Sequence, residues 1–427
     1  MTDYQALKDW LYSLQVFGIK LGLSSTEAML ARLGNPERRF PSVHLAGTNG
    51  KGSTAIMLAT VLAETGLKVG LYTSPHLVNF RERYLINGRM PTKKRMAQVM
   101  AHVRQAVNGT EPPTFFEFTT ALAFQYFANE KVDLAVIETG LGGRLDATNV
   151  LRPLISLVSD IALEHTQYLG ATLSQIAWEK AGIIKAQTPA ATTARQPVAT
   201  EVLAGRAREL SAPLFRLGPD FRVRWTSKGL HYQGLAWRFS GLRLGLAGRF
   251  QGPNAGLALV GLELLGRRGF EVDEASIRQG LARSRWPGRL ETISHNPRII
   301  VDGAHNPAAC QTLVRTLAEI PARRRIIVFG VMADKDLSAM VQAIGPAADE
   351  MILTRAAYER SASPEQLAQA ADRLGFSYRL VPELMAALDL ARRLARTDDL
   401  IVITGSLFVV GEVLAGLRPA PLFEEAR

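Results

Sequence analysis

Apolar and polar positions alternate along most of this chain with two periods. Short apolar runs predict buried strands at PSVHLAG (41–47), KVGLYTS (68–74), VDLAVIETG (132–140) and PLISLVS (153–159). Between them, residues 51–66, 92–107, 115–129 and 172–182 carry helical spacing. That alternation predicts a mainly parallel sheet covered on both faces. The pattern changes near 214–250, where FRVRWTS, LHYQG and LAWRFS alternate apolar and polar residues and predict an antiparallel patch. Helical patterns return at 253–268 and 273–283. WPGRLETISHNPR (286–298) carries two prolines and a glycine and reads as a linker or the start of a second domain. Beyond it, RIIVDGA, RRIIVFGV, DEMILTRA and DLIVITGS read as strands, with helices at 306–319, 335–344, 363–374 and 383–396. The fold class is α/β, with a first domain over 1–290 and a smaller α/β domain over 291–427.

Composition narrows the function classes. At roughly 150 residues per domain the length allows about three domains, which the pattern reduces to two. Hydrophobic residues at 47% and charged residues at 21% exclude a disordered or low-complexity chain. No apolar run is long enough to span a membrane. The opening MTDYQALKDWLYSLQVFG is an amphipathic helix pattern with acidic residues, not a signal peptide. Cys310 is the single cysteine, so no internal disulfide forms, and a reducing, cytoplasmic location is expected. Lys plus Arg exceed Asp plus Glu by 50 to 39, a net charge of +11. Such a surplus suits nucleic acid, an anionic surface or small polyanions, or is simply an Arg-rich solvated surface. Nucleic-acid binding calls for basic residues interleaved with aromatics. Aromatic content is only 7%, and the densest basic run, Arg323-Arg324-Arg325, leads into an apolar strand.

The sharpest local feature is Gly47-Thr48-Asn49-Gly50-Lys51-Gly52-Ser53, between a predicted strand and a predicted helix. Glycines let successive N–H groups turn toward phosphate oxygens, and the helix start adds its positive end. Lys51 supplies a point charge for the β- and γ-phosphates, and a hydroxyl can reach magnesium. The match to the general phosphate-loop pattern is imperfect, because Leu45 stands at the first glycine position and Gly52 follows the lysine.

Other polar groups fall at strand ends. Glu138 closes a buried strand, where a carboxylate can hold magnesium near phosphates. Ser74 lies in TSPHL and His165 in EHTQYLG, each just past a strand. Ligands of open α/β sheets bind at this edge. Lys180, in WEKAGIIK, reads from its helix position as a solvated lysine. In the second domain Asp302 and His305, in DGAHNP, mark another polar strand end, and Arg289 in the linker can reach a cleft between the two edges.

Together these segments resemble a family. GTNGKGS, TSPHL, ETGLGGRLDATN, EHTQYLG, EKAGI, WPGRLE, DGAHNP and TGSLF follow the order of the folylpolyglutamate synthases, including the bifunctional dihydrofolate synthase type, within the Mur ligase superfamily. The resemblance runs from about residue 17 to about residue 412. It implies a two-domain Mur-ligase-like architecture and an ATP-dependent amide ligase working through an acyl phosphate. L-glutamate would be joined to 7,8-dihydropteroate or to a reduced folate. It places Gly47 to Ser53 on the ATP phosphates, Ser74 and Glu138 on one Mg²⁺ and His165 on a second. It also implies that CO₂ carbamylates Lys180. Asn254, Arg289, Asp302 and His305 resemble nucleotide-holding residues. Leu21, Gly22, Phe116, Glu117 and Leu145, Asp146 and Ala147 match the pterin-site stretches. KLGL lacks the acidic residue of the bifunctional type, whereas FEF and RLDA fit it. A Mur ligase acting on a UDP-sugar usually carries a further N-terminal domain, and only 46 residues precede Gly47 here. A monomer is expected.

Overall fold

The structure is a computed structural model that describes residues 3–18, 20–107, 111–418 and 420–426. Seven strands build the first sheet. They are β1 (Ser42–Ala46), β2 (Val69–Tyr72), β3 (Tyr84–Ile86), β4 (Leu134–Glu138), β5 (Ile155–Val158), β6 (Ala190–Thr192) and β7 (Leu214–Arg216). Their spatial order is β3-β2-β4-β1-β5-β6-β7. Only β3 on β2 is antiparallel. The central strands β1 and β4 are buried along their whole length, as expected where helices cover both faces. Helices Lys51–Glu64 and Gln251–Gly266 pack on one face, and Lys93–Ala106 and Phe115–Glu130 on the other.

The antiparallel patch is smaller than the alternation predicts. Residues 214–216 leave it and form β7, a parallel edge strand reached through the helix Pro197–Glu209. The antiparallel sheet itself spans β8 (Arg222–Thr226), β9 (Gly229–Gln233) and β10 (Arg238–Leu242). It closes over Gln251–Gly266. Leu157 of β5 lies against Gly261 and Val223 of β8 against Gly256, so that helix is buried on opposite sides.

The third sheet contains β11 (Glu291–His295), β12 (Arg298–Val301), β13 (Arg325–Phe329), β14 (Glu350–Arg355), β15 (Arg379–Glu383) and β16 (Leu400–Thr404), ordered β11-β12-β16-β13-β14-β15. The segment read as a linker thus contains a strand, β11, paired antiparallel with β12. The hydrophobic pattern also passes over β3, β6 and β15. The first two are three residues long, and β15 is an exposed edge. Two mostly parallel sheets therefore organise two α/β domains. Among the described residues, no helix is long and apolar enough to cross a membrane.

Candidate active site

The glycine-rich turn leaves β1 and enters the helix Lys51–Glu64. Gly47 and Gly50 take φ values of +145° and +93°, and a Cβ would collide with Ser159 at the first and with Asn254 Oδ1 at the second. Thr48 is engaged structurally. Its hydroxyl donates to the Ala162 carbonyl and accepts from the Ala162 N–H, both at 3.1 Å. Lys51 Nζ donates to the Gly47 carbonyl at 3.0 Å and stands 3.9 Å from Glu138 Oε1. The register β1–β4, Leu45 opposite Glu138, brings that carboxylate beside the turn. Its other oxygen accepts the Ser74 N–H at 3.2 Å. Burial raises the Glu138 pKa, while Lys51 and the Ser74 amide oppose it.

A cavity of about 610 Å³ opens here, between the two domains. It is lined by all of Gly47 to Ser53, and by Ser74, Glu138, His165, Lys180, Asn254, Arg289, Asp302 and His305. Every sequence-predicted nucleotide, metal and catalytic position therefore meets at one place. Lys180 is not the solvated lysine its helix suggests. It is 4% exposed and donates to the Gly47 carbonyl at 2.8 Å. Burial, then Lys51, lowers its pKa to about 7. A buried amine that loses its proton near neutrality has a lone pair for chemistry.

A second cavity, of about 510 Å³, shares Ser74, His165 and His305 with the first. Leu21, Gly22, Phe116, Glu117, Leu145, Asp146 and Ala147 all line it. Its two predicted carboxylates are already engaged. Glu117 closes a capping box, taking the Thr114 N–H at 2.7 Å. Asp146 accepts the N–H groups of Gly140 at 2.9 Å and Leu141 at 2.8 Å, and the hydroxyl of Thr148. Thr148 is in turn 2.8 Å from His44 Nε2 of β1. These acids staple the cavity wall.

Sequence reading missed Glu164, Lys335, Arg83 and Asn306. Glu164 Oε1 lies 3.2 Å from His305 Nε2 and 3.5 Å from Lys335 Nζ, so it ties the first domain to the second. Burial opposes its charge, but the His305 hydrogen bond and the neighbouring cations hold its pKa well below the usual range. Asn306 pairs its amide with that of Asn49, at 3.0 and 3.4 Å, across the same cleft. Glu164 sits inside the quoted EHTQYLG, whereas Lys335 and Arg83 carry no local motif.

The donor set suits magnesium. Ser74 and Glu138 offer oxygen ligands, which with phosphate oxygens make the hard environment that ion takes. His165 has its pKa lowered to about 4 by burial and then by Lys335, so its ring is neutral and able to ligate. Among the described residues no three His, Cys, Asp or Glu side chains form a ready-made metal cluster, so a magnesium ion here would take further oxygens, from water or phosphate.

Residues 288–407 match the Mur ligase, glutamate ligase domain family. The dihydrofolate synthase/folylpolyglutamate synthase of Bacillus subtilis is 33% identical over 98% of this chain and 100% of its own length. The chain belongs to the dihydrofolate synthase/folylpolyglutamate synthase family. Among solved family structures, E. coli FolC in complex with DHPP and ADP superposes with a TM-score of 0.89 at 32% identity, covering 96% of this chain and 97% of that one. A bifunctional folylpolyglutamate synthase/dihydrofolate synthase with Mn, AMPPNP and L-glutamate bound gives 0.87 at 32% identity, covering 96% and 98%. In this family member, then, the domain matched as a glutamate ligase domain supplies Asp302, His305, Asn306 and Lys335 to the cleft.

Proposed function

We propose that this chain is an ATP-dependent ligase that adds L-glutamate to 7,8-dihydropteroate and to reduced folates, releasing ADP and phosphate. The observation that carries the reading is the junction of two cavities at Ser74, His165 and His305. One is lined by a glycine turn with Lys51. The other is lined by Leu21, Phe116 and Leu145 and is large enough for a pterin. Such a junction lets a γ-phosphoryl group meet a substrate carboxylate. The carboxylate oxygen attacks phosphorus, ADP leaves, and the glutamate amine then displaces phosphate from the acyl carbon.

In this reading the turn from Gly47 to Ser53 binds the phosphates, and Lys51 neutralises charge on the transferring group. Asn254, Arg289 and Asp302 position the nucleotide, and His305 borders the reacting centre from the second domain. Magnesium, when bound, supplies further charge neutralisation. Ser74 and Glu138 would hold one ion and His165 a second. The neutral Lys180 amine adds to CO₂, forming a nitrogen–carbon bond and losing a proton. The resulting carbamate carries negative charge into the cavity that His165 also lines. Leu21, Gly22 and Phe116 contact the pterin-bearing substrate, and Glu117 and the 145–147 turn shape its wall. Division of the chain near residue 290 fits the sheet membership on either side. The protein works as a cytoplasmic monomer in this reading, and the paired Asn49 and Asn306 fit domains that close over ATP.

The test is phosphate release from ATP with magnesium and glutamate, with dihydropteroate or tetrahydrofolate added. Release that needs both glutamate and a pterin supports the reading. ATPase activity stimulated by DNA or RNA and indifferent to pterins would sink it.

A further inference from the structure

We infer that His76 and Tyr12 form a positioning pair that aims the Arg83 guanidinium at the anionic group of the pterin-bearing substrate. The inference rests on the ligase reading above. Arg83 is buried and lines the second cavity beside Phe115, Phe116 and Gly140. Among the described residues it has no carboxylate within ion-pair distance. Its sequence neighbour Glu82 is engaged elsewhere, accepting the N–H groups of Leu77, Val78 and Asn79 at 2.9, 3.3 and 2.7 Å. Glu82 and Glu138 act on Arg83 only through space, and a buried cation with no carboxylate in direct contact is costly. It is explained when a ligand brings the missing negative charge.

The hydrogen bonds fix how that cation points. Arg83 Nε donates to His76 Nδ1 at 2.8 Å. Arginine has donors only, so Nδ1 must present a lone pair and the ring proton must sit on Nε2. Nε2 lies 3.1 Å from the Tyr12 hydroxyl, which therefore accepts. The Phe115 ring, 5.4 Å from the guanidinium carbon, braces the group from one side. With Nε held, the two Nη atoms make no hydrogen bond to the described residues and remain as a fork for a carboxylate or phosphate. Tyr12 comes from the helix Tyr4–Ser13 and His76 from the turn that carries Ser74. The N-terminal helix thus helps to orient a group in the substrate cavity.

The experiment measures KM for tetrahydrofolate and for ATP in glutamate-dependent phosphate release. His76→Leu is expected to raise KM for tetrahydrofolate about tenfold, the loss of one hydrogen bond to a charged group, with KM for ATP unchanged. His76→Asn, whose Oδ1 can accept from Arg83 Nε, should recover most of that loss. In an Arg83→Ala background His76→Leu should add nothing, because the two act as one unit. Equal rises in both KM values, no rescue by Asn, or additive effects would overturn the inference. A second arm does not depend on turnover. NMR of the histidine ring nitrogens, assigned with His76→Asn, should show an Nε2–H tautomer that is lost in Arg83→Ala. An Nδ1–H tautomer, or one indifferent to Arg83, would also overturn it. If the wild type shows no glutamate- and folate-dependent release, the ligase reading fails while the NMR result still decides the pair.

Discussion

Glu138 in one cavity and the two acids Glu117 and Asp146 in the other are engaged differently, while Asp302 of the first cavity, like Asp146, accepts backbone N–H groups. In the nucleotide cavity Glu138 keeps one oxygen facing Lys51 and uses the other on the Ser74 amide. In the substrate cavity Glu117 and Asp146 turn inward onto backbone amides and hold the wall. A lined cavity therefore does not make every acid on its rim a ligand. In the proposed reading, Glu138 acts on the ligand, whereas Glu117 and Asp146 shape its container.

The largest effect expected is on the nucleotide side. Lys51→Ala should lower kcat about a thousandfold if, as proposed, its ammonium neutralises charge on the transferring phosphoryl group. Its melting temperature should stay near that of the wild type. Glu138→Gln should likewise cost activity far more than stability, which thermal unfolding beside steady-state assays will show. A Glu138 variant that unfolds readily would erase the contrast with Asp146.

Lys180 sharpens the same side. Lys180→Ala should lose most ligase activity while still binding ATP, measured by nucleotide titration. The wild-type profile has a defined sign. Below about 7 the amine is protonated and has no lone pair for CO₂; above it the amine is neutral. Activity should therefore rise as pH increases through 7, and added bicarbonate should help most above that point. Near-normal turnover in Lys180→Ala would refute the carbamate role.

Smaller effects belong to the substrate cavity. Asp146→Ala should destabilise the protein by about 2 kcal/mol, since it strands three backbone amides and the Thr148–His44 chain. Glu117→Ala should cost about 1 kcal/mol through its capping box, and Glu117→Gln far less. Both are read from denaturant unfolding. An Asp146 variant with native stability and a large rise in folate KM would mean that its carboxylate contacts substrate directly.

This division follows what the sequence makes legible. The nucleotide side was readable because its chemistry is packed into short runs. Gly47 to Ser53 brings the turn, the lysine and the helix start together, and Glu138 falls at the end of an apolar strand. Lys180 was misjudged because helix position alone does not reveal burial under the Gly47 carbonyl. Arg83 and Lys335 were invisible because their importance comes from what lies across the fold, His76 in one case and Glu164 in the other. The parallel core of the first domain followed from its apolar runs. The strands β3, β6 and β15 escaped because they are very short or lie exposed at an edge.

The central claim is that the two cavities serve one ligation. The most direct measurement is mass spectrometry of the pterin product formed from ATP, magnesium, L-glutamate and either dihydropteroate or tetrahydrofolate. Wild-type protein should add one glutamyl unit per phosphate released, and Lys51→Ala should add none. Phosphate release with the pterin left unchanged in mass would contradict the claim.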